Sequence, residues 1–187
     1  MLSHSMTPVL FDQRVFYFPL KPRLEALMKN KVYFDMCQHE FLRPKNEDIL
    51  TDIYDSPAWK DFMGPCNYPN KRLGLLGCGD GFQAFAAGTK SLKPWMFKNM
   101  SLPPSVRSQT KYMLLHMLFQ ESIKAEQQRK YFEFAAHYEL RGLFDKGING
   151  GIRVKVFSTT MDTKGREELS GIFTLSLTLT LVFIKYV

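Results

Sequence analysis

The stretch RLGLLGCGDGFQAF, residues 72–85, decides between two kinds of protein. A short run of leucines and glycines ends on Asp80, which Gly81 follows at once. Glycines after an apolar run are typical of loops that bind nucleotide phosphates. An aspartate at the end of a strand is instead suited to hold Mg²⁺, which proteins bind through one or two carboxylates. The rest of the chain must therefore indicate which role Asp80 has.

The nucleotide interpretation lacks the features that should accompany the glycines. A Rossmann-type methyltransferase needs a helix directly after the glycines and an acidic residue about 20 positions later. Here Gly88 and Pro94 leave little room for a helix, and the next acidic residue after Asp80 is Glu121. A methyltransferase is thus the weaker enzyme interpretation. An Asp-Gly hairpin corner is the simplest structural role for Asp80.

The segments from residue 72 onward predict an α/β fold in the order strand, strand, strand, helix, strand. The first strand is RLGLLGCG (72–79), the second extended segment is PWMFKNMSLPP (94–104), and KYMLLHMLFQ (111–120) is ambiguous between strand and helix. Residues 122–146 carry apolar residues at helical spacing, and GGIRVKVFSTTMD (150–162) alternates as a strand does. This is the order of a partial ribonuclease-H-like domain, whose catalytic carboxylates follow the first and last of these strands. Asp80 and Asp162 stand at those two places, although Asp162 alone also suits a helix N-cap.

The chain divides into three parts. Residues 1–71 predict an extended and irregular N-terminal arm with short helices, one of them at SPAWKDF (56–62), where Ser56 suits the cap and Pro57 the first turn. Residues 72–171 form the partial ribonuclease-H-like domain. Residues 172–187 are an apolar tail, for which a strand, a membrane tail and a mistranslated segment are the alternatives. The apolar run is shorter than the ~20 residues of a membrane helix, so we expect no membrane association.

The chain carries a net charge of +7 at pH 7, which favours a polyanionic partner. Residues 81–120 contain no acidic residue. We expect the basic residues of this region to contact the DNA backbone, with a merely solvated surface as the alternative; they are Lys90, Lys93, Lys98, Arg107 and Lys111. Three widely spaced cysteines and the lack of a secretory signal predict an intracellular protein that is not secreted.

Five short motifs, in this order, resemble the transposases of CACTA-type (En/Spm-like) DNA transposons. They are FYFPLKPRLEALMKNK (16–31), DSPAWKDF (55–62), RLGLLGCGDGFQAF (72–85), Trp95 followed by LPP (102–104), and GGIRVKVFSTTMDTKGREELSG (150–171). No single motif is diagnostic, but five in the right order are a fairly specific signal. The resemblance covers roughly residues 14–171.

The resemblance implies a cut-and-paste transposase with a ribonuclease-H-like core, which acts on transposon ends of DNA in the nucleus. Asp80 and Asp162 would be the first two of three catalytic carboxylates and would hold Mg²⁺ or Mn²⁺ for phosphoryl transfer. Two departures accompany them, because Gln83-Ala84 and Thr163-Lys164 replace the family's usual residues. The third carboxylate should lie downstream of Asp162, beyond this chain. We therefore expect a catalytically inactive fragment of such a transposase.

Two further alternatives stay open at this stage. The first is a non-catalytic remnant of a transposon that binds DNA or a protein partner. The second is a fragment that forms no stable fold, because the elements that normally follow the fourth strand of such a domain are missing.

Overall fold

A computed structural model describes residues 9–12, 15–45, 49–65, 69, 71–79, 82–83, 91–120, 122–149 and 151–160. The elements ahead of the glycine-rich stretch are β1 (Val9–Asp12), β2 (Val15–Tyr17), α1 (Leu20–Lys29), α2 (Lys31–Met36), α3 (His39–Leu42), a 3₁₀ turn (Ile53–Asp55) and α4 (Pro57–Met63). Helix α4 begins as the sequence predicts, because the Ser56 hydroxyl accepts a hydrogen bond from the Trp59 backbone N–H at 3.1 Å.

The second half of the chain contains the predicted strands and helix in the predicted order, with a two-residue strand and a short helix in addition. Its elements are β3 (Arg72–Gly79), β4 (Phe82–Gln83), β5 (Ser91–Asn99), α5 (Pro104–Arg107), a 3₁₀ turn (Thr110–Tyr112), β6 (Leu114–Gln120), α6 (Ala125–Ala135), a π-helical turn (Ala136–Leu140), α7 (Arg141–Asp145) and β7 (Arg153–Thr160). The ambiguous run at 111–120 is mostly a strand, because β6 lies inside the sheet between β2 and β5.

Seven strands of the described ranges form one mixed sheet in the order β1-β2-β6-β5-β3-β7, with β4 beside β5. Strand β5 is antiparallel to both β3 and β6, whereas β7 lies parallel to β3. The parallel pair requires a crossover, and the helical residues 125–145 lie between β6 and β7 in the chain. The fourth strand of the predicted order therefore lies beside the first.

One face of the sheet, the core face, carries the main hydrophobic core. Leu73, Leu75, Trp95, Phe97 and Val154 are buried there, as their alternation along the strands requires. Helix α6 packs on this face, with the Phe132 ring 4.9 Å from the Trp95 ring in an edge-to-face contact. Helix α1 contributes buried residues to the same core.

The opposite face of the sheet, the α4 face, is covered in part by helix α4. The Trp59 and Phe62 side chains belong to a second buried cluster there, and the Phe157 ring of β7 lies 5.5 Å and 5.0 Å from their rings. Phe157 is the extra residue of a β-bulge, since Leu75 pairs with Val156 and Leu76 with Ser158.

The N-terminal segment pairs with the sheet and contributes to its core. Strand β2 pairs with β6, and Val15, Tyr17, Leu20 and Leu24 share the main core with the later strands. The sequence predicts an extended segment correctly at this place, but it does not reveal a pairing with a strand about a hundred residues away. No helix among the described residues is long and apolar enough to cross a membrane.

Candidate functional site

The adjacent ends of β3 and β7 define the candidate site. The two strands run parallel, and the last pair of their register joins Cys78 to Thr160. Asp80 and Asp162, the predicted metal ligands, each follow two residues later and lie outside the described residues. The described parts of β3 and β7 thus end side by side, each two residues ahead of a predicted ligand.

The glycines of the RLGLLGCG strand make room for tryptophan rings. A Cβ atom at Gly74 would clash with the Trp59 ring, meeting its Cζ3 at 2.8 Å, and a Cβ atom at Gly79 would meet Cε3 of Trp95 at 2.8 Å. Real Cβ atoms do not approach other atoms this closely. These glycines therefore serve indole packing on opposite faces of β3, a role that needs no phosphate.

The chain after the glycines continues as a strand. Gly79 pairs with Trp95, and Phe82 pairs with Leu92. The two pairs are three positions apart on both strands. The same register with β5 therefore holds before and after the two intervening positions. A dinucleotide or methyl-donor loop would instead lead into a helix whose N-terminus binds the phosphate.

The Cys78 thiol is half-buried on the α4 face next to this edge. Its sulfur contacts the Met96 carbonyl oxygen at 3.5 Å. Burial raises the pKa of the Cys78 thiol, while the nearby Lys98 ammonium lowers it to a smaller extent. The thiol is therefore predominantly protonated near neutral pH and is a poor nucleophile there.

The predicted DNA-contacting lysines occupy different surfaces. Lys98 pairs with Leu76 and so lies on the α4 face, whereas Lys93 pairs with the core residue Phe119. Lys111 is exposed, with its ammonium 4.9 Å from the centre of the Tyr112 ring. Lys90 lies outside the described residues. The three described lysines of this set thus do not lie in one row.

Arg107 has a structural position that differs from the expected DNA contact. Its guanidinium forms a two-point ion pair with Asp52, at 2.9 Å and 2.6 Å, and donates a further hydrogen bond to the Leu102 carbonyl at 2.9 Å. The Tyr54 ring lies 5.2 Å from the same guanidinium. We therefore leave Arg107 out of the DNA-contacting surface, because a buried and paired guanidinium cannot reach a phosphate without breaking these bonds.

Sequence reasoning could not find the Asp52 partner of Arg107. The two residues are separated by 55 positions, and no spacing rule connects them. The one available signal is the lack of acidic residues in 81–120, which means that a buried arginine there must pair with an acid from outside that segment.

No group of three or more histidine, cysteine, aspartate or glutamate side chains suited to a metal occurs within the described part of the chain. Asp80 and Asp162 lie outside the described part. Carboxylates supply the hard oxygen donors that Mg²⁺ prefers. Comparison of the chain with protein-family models, with curated proteins and with solved structures found no match.

Proposed function

We propose that residues 72–171 belong to a ribonuclease-H-like transposase domain, in which Asp80 and Asp162 hold a divalent metal ion for DNA strand cleavage and transfer. The observation that carries this proposal is the pairing of Cys78 with Thr160 in the parallel β3–β7 ladder. Each aspartate follows its paired residue by two positions. Strands in a sheet are about 4.8 Å apart, a separation that one metal ion or a pair of ions can bridge with two carboxylates.

The bulge at Phe157 sets the register in which Asp80 and Asp162 each follow a paired residue by two positions. Ahead of the bulge Leu75 pairs with Val156, and after it Leu76 pairs with Ser158. A register shift of one residue moves every following side chain to the other face of a sheet. With the bulge, a ladder continued for two more residues puts Asp80 and Asp162 on one face. Without it, they would project to opposite faces.

The register between β3 and β5 supports the same face for Asp80. Pairing is unchanged between the Gly79–Trp95 and Phe82–Leu92 pairs, so an in-register Asp80 lies opposite Pro94. If the strand continues in this register, alternation would put Asp80 on the α4 face with Cys78 and Leu76.

The sheet order supports the ribonuclease-H-like fold within the broader α/β class. Strands β3, β5 and β6 are antiparallel neighbours, and helix α6 follows them before β7 returns beside β3. This arrangement brings the ends of the first and fourth strands together, as the predicted carboxylate pair requires. The resemblance to CACTA-type transposases supplies the substrate, which is DNA at transposon ends, and a nuclear location.

Metal ions held by such carboxylates would activate a water or 3′-hydroxyl nucleophile and stabilise the leaving oxygen. The resemblance places a third carboxylate downstream of Asp162. We propose that the two aspartates bind metal and that the basic residues bind DNA. Without the third carboxylate, these residues do not cleave the DNA strand.

The test is a titration of the purified protein with Mn²⁺, followed by electron paramagnetic resonance. We expect Asp80→Asn and Asp162→Asn each to weaken Mn²⁺ binding by more than about tenfold, because removal of one of two ligands breaks the site. Asp61→Asn, at an exposed carboxylate of α4, is the matched control and should bind as the wild type does. Equal Mn²⁺ binding by all four proteins would contradict the proposal. DNA binding that persists without metal would then favour a non-catalytic DNA-binding remnant.

A further inference from the structure

Two stretches of the chain that contain no acidic residue are brought together where the parallel β3–β7 pair begins. Residues 62–79 and 146–161 hold neither aspartate nor glutamate. The first pair of the register joins Arg72 to Arg153, and the Arg153 backbone N–H donates to the Lys71 carbonyl at 2.8 Å. Lys71, Arg72, Arg153 and Lys155 together form what we call the basic corner.

Three side chains of the basic corner share the α4 face of the sheet. Arg72 and Arg153 are followed by the core residues Leu73 and Val154, so alternation puts the two arginines on the opposite face. Lys155 comes two positions after Arg153 and therefore lies on the same face. Neighbouring positions of this kind are about 5 Å apart across strands and about 7 Å apart along a strand.

Arg72 and Lys155 are held against the C-terminal end of helix α4. The Arg72 guanidinium donates to the Met63 carbonyl, and the Lys155 ammonium donates to the Phe62 carbonyl at 2.6 Å. Cations are favourable at this end of a helix, because its last carbonyls carry a partial negative charge. A carbonyl oxygen has no full charge, so these bonds fix the two cations in place without neutralising them.

Arg153 and Lys71 form the exposed part of the basic corner. Arg153 stands directly beside Arg72, and like charges at paired positions of a sheet destabilise it. An anion bound at this place offsets the repulsion. A surface that concentrates charges of one sign also attracts an oppositely charged polymer from a distance.

We propose that the basic corner binds the phosphate backbone of duplex DNA, an inference that rests on the proposed function for the identity of the polyanion. Phosphate contacts position a protein on DNA without reading its sequence, so the basic corner orients the substrate. It lies at the opposite end of the ladder from the Cys78–Thr160 pair, about 20 Å away along β3. None of its residues belongs to the region 81–120 that the sequence predicts to contact DNA.

The experiment measures the affinity for a short fluorescein-labelled DNA duplex by fluorescence anisotropy, between about 50 and 200 mM salt and without metal. Lys71→Gln and Arg153→Gln should each bind roughly three- to tenfold more weakly and lower the slope of log affinity against log salt by about one. In the double variant the slope should fall by about two. Lys29→Gln, at an exposed lysine that ends α1, is the matched control and should change the affinity less.

The fold of the variants is checked by thermal unfolding. Arg72 and Lys155 stay unchanged in this series, because they also hold α4. Arg153→Gln removes a like charge from an exposed position, so its unfolding temperature should be no lower than that of the wild type. Weaker DNA binding by this variant then reports on the lost charge and not on a lost fold.

A second readout locates the DNA on the protein. Acetylation of lysines with an N-hydroxysuccinimide ester, followed by peptide mass spectrometry, should slow at Lys71 when DNA is added. Acetylation of Lys29 in the same sample should slow less. Protection of Lys71 should disappear at a salt concentration that releases the DNA.

The outcomes separate this proposal from the metal site. If the wild type binds DNA and the double variant binds it equally well with the same salt slope, the role of the basic corner is wrong. If the wild type binds no DNA, the basic corner and the DNA substrate are both wrong. The Mn²⁺ titration of Asp80→Asn is made without DNA, so it tests the carboxylates alone, and the double variant should bind Mn²⁺ as the wild type does.

Discussion

The Arg107 guanidinium and the Asp52 carboxylate form a two-point ion pair that joins the LPP segment to the N-terminal region. Both side chains are only 8% exposed. The Tyr54 hydroxyl, two residues after Asp52, lies within hydrogen-bond distance of the Met100 and Leu102 carbonyl oxygens, at 2.9 Å and 3.0 Å. The segment after β5 is therefore fixed by residues that precede β3.

Arg107→Ala should lower the free energy of unfolding by about 3–5 kcal/mol, because it leaves the Asp52 carboxylate buried without its partner. Urea denaturation monitored by tryptophan fluorescence measures this change. Lys111→Ala, at an exposed position, should stay within about 0.5 kcal/mol of the wild type. The double variant Asp52→Ala with Arg107→Ala should lose less than the sum of the two single changes. Equal stabilities of Arg107→Ala and the wild type would show that the ion pair does not form.

Gly74→Ala should destabilise the protein by about 1–3 kcal/mol, since the added methyl group overlaps the Trp59 ring. Gly142→Ala is the matched control, because a Cβ there meets no atom within 4 Å. Its position inside a helix predicts stabilisation by about 0.5–1 kcal/mol. Thermal unfolding of both variants checks the opposite signs. A Gly74→Ala variant as stable as the wild type would mean that α4 does not pack closely on β3.

Glu139→Ala should destabilise the protein by about 1–3 kcal/mol. The Glu139 carboxylate accepts a hydrogen bond from the Lys21 backbone N–H at 2.8 Å and another from the Tyr17 hydroxyl. It thereby satisfies a first-turn N–H of α1, whose N-cap residue Pro19 offers no side-chain cap. Glu133→Ala, at an exposed position of α6, is the control. Chemical denaturation of the two variants should give a clear loss for the first and little change for the second.

Stability should fall as the pH is lowered from about 6.5 towards 4, in part because of His116. Burial lowers the pKa of this histidine to about 3, and the smaller effect of its contact with the Phe18 carbonyl raises it. The unfolded state, with a histidine pKa near 6.5, then binds a proton that the folded state does not. The free energy of unfolding consequently decreases by at most about 1.4 kcal/mol per pH unit from this group.

His116→Phe should flatten the pH dependence in this window, because the group that takes up the proton on unfolding is gone. A phenyl ring can keep the ring contacts to Tyr17 and Phe97, which lie 5.1 Å and 5.3 Å from the imidazole. The pKa of His39 is also lowered by burial, but His39 is present in both proteins and cancels in the comparison. Parallel pH profiles of wild type and variant would contradict the neutral buried state of His116.

The sequence was enough to predict the order in which the strands and the helix of the candidate site follow one another along the chain. The strand at 72–79, the helix in 122–146 and the strand ahead of Asp162 follow from local patterns of apolar residues, which depend only on neighbours in the chain. Parallel pairing of β3 with β7, and the bulge at Phe157 that sets its register, did not follow, because they depend on contacts between residues about 80 positions apart. The carboxylate pair itself stays a prediction.

The sequence by itself determined the α/β class, the cap of α4 at Ser56 and the succession of strands, because hydrophobic period and capping act within a few residues. Tertiary structure decided which basic residues remain available and why the glycines occur where they do. Arg107 and Lys98 are both basic residues of a segment without acids, so the sequence does not distinguish them. Arg107 is paired with Asp52, whereas Lys98 has no ion-pair partner among the described residues. In the sequence Gly74 resembles a loop glycine, but in the structure it makes room for the Trp59 ring. Burial and pairing are properties of atoms that meet only after folding, so no local pattern encodes them.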